Sequence, residues 1–431
     1  MRAKEVLLLI LIVALGVGLH YLDDLKLKID DWDLEFPFRG ESYLFEEQLT
    51  EAPAEILEIN NSQGSLQVEG SQRADITINF EKRVWRKSEP EAREVADRIR
   101  LLTTRDNNRL VLTTNHNTIR QKRFTTSFKL LVPAGTRVKI KNSHGLVRVA
   151  GVSQVELENS HGRVDIIEIS GPVRVSNSYE KVSILDVAGS CRLETRHSSA
   201  LLSRVEGPVT IDCAHQKLEI FDLKNSLRIQ SRHTVIKAVR IAGPAEIAGS
   251  YELISLNEIG PAVVRGHHSP VEIDVARGDL SLETSYERIK LADIQGNLVI
   301  KARSSRVQGT RINGQSLQVE TSYEPVSLED FSGQLNLKLK HASLTLAPVN
   351  LDFPLVASTE YGNITFYWPE NQTARLEARS RGGRISWKLP FSPDENISNG
   401  TTLLRAFQSA SDRPEIKLEA SYGNINILRK E

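Results

Sequence analysis

The residues with the most chemical potential in this sequence form a register, not a cluster. His144, His161, Tyr179, His197, His215, His233, Tyr251, His268 and Tyr286 follow one another at intervals of 17 or 18 residues, Ser304 takes the next place, and Tyr323, His341 and Tyr361 continue the series. Tyr422 sits in a last copy near the C-terminus. Imidazoles bind metals and exchange protons near neutral pH, and phenol and imidazole rings combine an apolar body with a polar tip. Two readings of such a column stand side by side. It is a structural ladder of planar rings at a corner, or it is a ligand-binding strip whose rings suit sugars or peptides. Histidines one repeat apart are close enough to supply two metal ligands, but no acidic residue recurs beside the His-rich stretch, so no metal site is assigned.

Glu180, Glu252, Glu287 and Glu324 each follow a tyrosine of the column. Paired carboxylates hydrolyse glycosides, but even the nearest of these lie two repeats apart, about 10 Å at strand spacing. That is at or past the upper limit for an inverting pair, so they read as polar corner residues. Ser143 and Ser160 neighbour histidines only because they belong to a repeated corner, and a catalytic triad would not be repeated. No GxSxG, HExxH, Walker-type or GxGxxG motif stands in a supporting context. The expectation is a protein that is not an enzyme and uses no cofactor.

The elements that must position the column come from the repeat itself. Asn142-Ser-His-Gly recurs as Asn159-Ser-His-Gly and Asn177-Ser-Tyr-Glu, with weaker copies to Ser380-Arg-Gly-Gly. The interval lengthens only late, to 20 and 21 residues at Tyr361 and Gly382. A fixed short period with Val, Ile and Leu alternating with polar residues predicts an all-β, single-stack β-solenoid (β-helix) of about 18-residue turns. Each turn holds two or three short strands, and roughly fourteen turns at strand spacing make a rod on the order of 65 Å. One short helix is expected near 88–102, where Ser88 can cap, Pro90 fits the first turn, and Val95, Ile99 and Leu102 share a face. The domain plan is a membrane anchor or signal over 1–22, a polar lead-in over 23–50, a β segment with one helix capping the solenoid over 51–135, solenoid repeats over 136–390, and an excursion loop with a terminal strand pair over 391–431. The excursion, 393–414, is expected to carry a helical turn.

Composition sets limits on partners. Lys plus Arg and Asp plus Glu are 55 each, so there is no basic surplus of the kind nucleic-acid binding needs. Arg120, Lys122 and Arg123 read as a solvated hairpin tip. The two cysteines, Cys191 and Cys213, fall at different points of successive turns, so the spacing permits a disulfide without implying one. Arg2 and Lys4 precede an apolar run from Val6 to Leu19, and Asp23 and Asp24 follow it. This favours a cytoplasmic N-terminus with the rest exported. Residues 6–22 then read either as a transmembrane anchor or as a cleaved signal. The chain is expected in the cell envelope, anchored in the inner membrane with its bulk periplasmic or extracellular, or secreted.

The string Leu131-Val-Pro-Ala-Gly-Thr-Arg-Val, followed by repeated Asn-Ser-x-Gly-x-Val-x-Val, resembles the bacterial putative-adhesin family of unknown function. The resemblance covers residues 55–390 and implies a β-solenoid behind an N-terminal membrane segment. This sequence departs from the pattern where Glu180, Ser198 and Glu252 replace the turn glycine. A looser resemblance, to the bactofilins, extends only to turn length and end-to-end stacking. Together these imply a non-enzymatic binding surface or scaffold for protein or glycan partners. The alternatives are a filament assembled through the solenoid ends and a polysaccharide-acting β-helix enzyme.

Overall fold

The structure, a computed structural model, describes residues 41–120, 123–390, 392–407 and 413–430. The expected anchor or signal at 6–22 and Lys122 lie outside the described residues. Among the described residues no helix is long and apolar enough to cross a membrane.

The fold is the all-β solenoid that the period predicts. A typical coil runs from Cys191 to Val205. Its first strand, Cys191–Arg196, buries Cys191, Leu193 and Thr195 and turns Arg192 and Arg196 to solvent. A corner at His197 leads into the second strand, Ala200–Val205, and a turn through Gly207 starts the next coil. Alternation follows from the two-residue period of a strand. Coils pair in parallel, residue on equivalent residue: Val164 on Val182, Val182 on Ala200, Ala200 on Leu218, Leu218 on Ile236. Most inward positions therefore extend as columns of aliphatic side chains, each fully buried one worth about 1.5–3 kcal/mol. In the coils from Glu168 to Asp330 the second strand is bent by one residue with positive φ. Asp186 (φ 57°) and Arg204 (φ 56°) are examples, and the ladder skips them, running Leu185–Ser203 and then Val187–Val205.

The coils extend past the limits of 136 and 390 expected from the period, because both ends are threaded out of sequence. Residues 56–71 already form a coil. Ile56–Asn60 pairs with Arg137–Lys141 on one side and with Arg109–Thr114 on the other. Leu66–Ser71 likewise lies between Phe124–Pro133 and Val147–Ala150. The chain thus lays down the second coil, leaves to build the end coil from 109–133, and returns to continue the stack. The C-terminal end repeats the device. Glu415–Ser421 inserts between Leu355–Thr359 and Arg375–Arg381, and Ile425–Arg429 between Ile364–Trp368 and Ile385–Trp387.

Two local expectations are corrected. The helix is Glu89–Ala96, shorter than 88–102. Val95 and Ile99 are buried, but Leu102 is 48% exposed. Asn107, at φ 50°, makes a tight turn that lets Leu101–Asp106 pair antiparallel with Arg109–Thr114, and that hairpin claims the last helical turn. Ser88 has extended N-cap geometry without a side-chain cap hydrogen bond. At 393–414 the described residues hold no helical turn. Asp394–Ser398 and Thr401–Ala406 form an antiparallel hairpin, reversed at Asn399 and Gly400, that pairs with Arg375–Arg381.

Candidate binding edge

The column sits on the corner between the two strands of each coil. From inside, buried polar side chains hold that corner. The Asn142 amide donates to the Asn159 side-chain carbonyl at 3.3 Å, and Asn159 to Asn177 at 3.1 Å. The same amides donate to corner carbonyls: Asn159 to Gly162 at 3.0 Å, Asn177 to Glu180 at 2.9 Å. Farther along, Thr284, Thr321 and Thr359 hydroxyls donate to the carbonyls of Ser269, Ser305 and Ala342. A buried donor without such a partner would cost about 1–3 kcal/mol, so this inner polar row fixes the corner geometry.

The rings predicted to share a register do so. His144, His161, Tyr179, His197, His215, His233, Tyr251, His268 and Tyr286 stack without interruption, with adjacent centroids 4.5–5.8 Å apart. Most pairs are within 8° of parallel, and His161–Tyr179 is at 13°. Gln63, in the coil inserted from 56–71, extends the row beneath His144. Ser304 then breaks it. Tyr323, His341, Tyr361 and Tyr422 form a second stack. Tyr422 lies on Tyr361, not beyond Gly382 as chain order suggests, because its coil is inserted between theirs. Gly382 then faces the Tyr422 ring, and a Cβ there would lie 3.4 Å from it.

Stacking changes what the edge can offer. Ring faces lie against neighbouring rings, so solvent meets ring edges, imidazole nitrogens and phenol hydroxyls. Tyr179, Tyr251 and Tyr286 remain 54%, 54% and 51% exposed. Most of these residues also adopt a conformation unusual for them: His197, His215, His233, Tyr251, His268, Tyr286, Tyr323, His341 and Tyr422 have φ between 51° and 73°. Such a conformation costs of order 1 kcal/mol in a non-glycine residue.

Beside the column, the outward residues of the first strands line a groove of about 1260 Å³ that includes Arg196, Arg232, Arg265, Lys301 and Arg303. Asp212, Glu283 and Glu320 are its carboxylates. Glu180, Glu252, Glu287 and Glu324 stay dispersed along the corner; Glu324 pairs with Arg306 at 3.5 Å. Cys191 and Cys213 are both free and buried, and burial pushes each thiol up to about 12.

A second column escaped the sequence reading. The bend in the second strand aligns Glu168, Asp186, Arg204, Asp222, Arg240, Glu258, Val275, Asp293, Arg311 and Asp330, all with positive φ. Arg204 donates twice to Asp186, Arg240 twice to Asp222, and Arg311 twice to Asp293. Each arginine holds its partner's carboxyl below the usual carboxylate range through that hydrogen bond and its charge. The alternation of acid and arginine at repeat spacing was the available signal.

Residues 254–428 match the family model described as Toastrack DUF4097. That stretch is similar to the Toastrack family. The Toastrack match begins at Ile254, yet the coils from 137 onward share its register and corner, so the same architecture extends upstream of the matched stretch. Among solved structures, a crystal structure of a putative cell adhesion protein from Clostridium sporogenes matches at 10% identity, over 90% of this chain and 100% of that one, with a TM-score of 0.16. That likeness is too loose to bear on this chain's architecture or role. No curated protein matches the chain.

Proposed function

We propose that this protein is a non-enzymatic, adhesin-like binding surface of the cell envelope, engaging protein or glycan partners along the ring edge and the groove beside it. One observation carries the reading: two long rows of ring tips are maintained, most of their residues in a backbone conformation that histidine and tyrosine adopt at a cost. A solenoid needing only a corner there could use glycine or asparagine. The groove supplies further polar contacts in the same direction. Among the described residues no group of His, Cys, Asp or Glu is gathered as a metal site would require, and the glutamates are spread along the corner. The threaded ends support a bounded surface over a filament, since the antiparallel hairpin 394–406 presents the wrong strand direction for a further parallel coil.

The test replaces three adjacent rings in the full chain, His197→Asn, His215→Asn and His233→Asn together. Asparagine tolerates positive φ, so circular dichroism should be unchanged. Binding to immobilised glycan and protein panels should fall at least about tenfold for the partner retained by the wild type. Undiminished binding by the triple variant would sink the reading.

A further inference from the structure

The interruption at Ser304 differs from every other place in the column. Among the described residues, Tyr286 stacks on His268 at 4.9 Å and has no second ring neighbour, and Tyr323 stacks on His341 at 5.2 Å and has no second. Both rings are exposed, Tyr286 to 51% and Tyr323 to 61%. They are two coils apart, about 10 Å at strand spacing, with only the Ser304 side chain in the rung between. Ser304 itself has φ 52°, the backbone conformation of the ring-bearing corners. The rung thus shares the corner conformation of its neighbours and carries a serine in place of the ring, while its first strand pairs with the next coil only as far as Lys301 on Glu320. The inside of the column confirms that the coil is in register: Ile289 pairs with Val307 and Val307 with Val326.

We infer that the gap between Tyr286 and Tyr323 is a one-ring slot that receives an aromatic side chain of a partner polypeptide, completing the ladder in trans. Elsewhere, between the end rings His144 and Tyr422, the faces of the column are closed by neighbouring rings; here two tyrosines flank a single rung that holds no ring. Other rungs hold flat imidazole or phenol rings at 4.5–5.8 Å centroid separation, so the space matches a planar ring better than a thicker, puckered sugar. Offset stacking on both faces is the arrangement aromatic rings favour. On the groove side the lip is Arg303, exposed and without a carboxylate within 4 Å among the described residues. It favours a partner in which an acidic residue adjoins the aromatic one. The inference deepens the binding-surface reading and rests on it, naming the ligand class for one rung.

The test titrates the full chain against acetyl-Gly-Trp-Gly-amide, with acetyl-Gly-Leu-Gly-amide and cellohexaose as comparisons, and follows ligand protons by NMR. The indole resonances should move upfield, as ring protons held between two tyrosine faces do, while the leucine peptide stays unmoved. Ser304→Tyr fills the slot with a residue the column already accepts in this conformation at Tyr251 and Tyr323. It should weaken tryptophan-peptide binding by roughly tenfold or more, while Ser304→Ala should leave it within about twofold. Thermal unfolding no earlier than wild type confirms that Ser304→Tyr is folded. Equal binding by wild type and Ser304→Tyr, equal shifts for the leucine peptide, or no indole shift at all would each overturn the slot. Cellohexaose binding lost in Ser304→Tyr, without tryptophan binding, would overturn the aromatic assignment. None of these outcomes touches the binding-surface reading, which the triple-histidine variant tests separately.

Discussion

At the ring corner, the residue with positive φ is mostly His or Tyr; at the bend inside the second strand it is mostly Asp, Glu or Arg. Both positions recur coil after coil, and both impose a backbone conformation that glycine would adopt more easily. The compensation differs. Along the bend, Arg204, Arg240 and Arg311 each reach the carboxylate one coil back with two hydrogen bonds. Along the corner, rings lean on the rings above or below them, and within each stack on both. Along the bend, three arginines and three aspartates are consumed by one another as ion pairs one coil apart. The corner's ring faces are consumed, but its polar tips are not. The comparison separates a column whose chemistry is spent on the fold from one with chemistry left for a partner.

That contrast can be broken in order of effect. The scale is set by the core beneath both columns. Leu202, fully buried in the strand that carries Arg204, should lose about 2–5 kcal/mol on replacement by alanine, measured by chemical denaturation. A smaller loss than at either column would mean that the corners, not the aliphatic stack, hold the coils.

Next comes the ring corner. His215→Ala removes stacks on His197 and His233 but keeps positive φ, and should cost about 1–3 kcal/mol. His215→Gly removes the same stacks while relieving the backbone, and should be destabilised less. Equal losses for the two variants would show that backbone strain is no part of the corner's energetics.

The smallest effect belongs to the bend. Asp222→Asn keeps a side chain that tolerates positive φ and should change stability by no more than about 0.5 kcal/mol, since the pair with Arg240 is exposed and screened. The sign with pH is fixed by the lowered Asp222 pKa. Its contribution is fully present above the ordinary carboxylate value, about 4, and is lost as pH falls through the lower folded value. Wild type should therefore converge on Asp222→Asn below about pH 4 and differ by a constant amount above it. A gap that widens in acid would contradict the ion-pair assignment.

The period, the parallel solenoid, the inward aliphatic columns and the membership of the ring row were legible in the residues alone. All of these follow from residues repeating every coil, where equivalent positions must meet whatever the neighbours are. The helix at 89–96 was legible too, from Pro90, the early acids and the spacing of Val95 and Ile99. Other features were decided only in three dimensions. Insertion of 56–71 and 415–429 out of order depends on pairing between distant segments, and a period cannot say which coil lies next to which. For that reason Tyr422 stacks on Tyr361 although Gly382 lies between them in the chain. The charged bend was written in the sequence, but its meaning required the positive φ that aligns Asp222 with Arg240. Ser304 was visible as one missing ring; that it leaves two tyrosines flanking a single rung without a ring was decided by the stacking of coils at strand spacing.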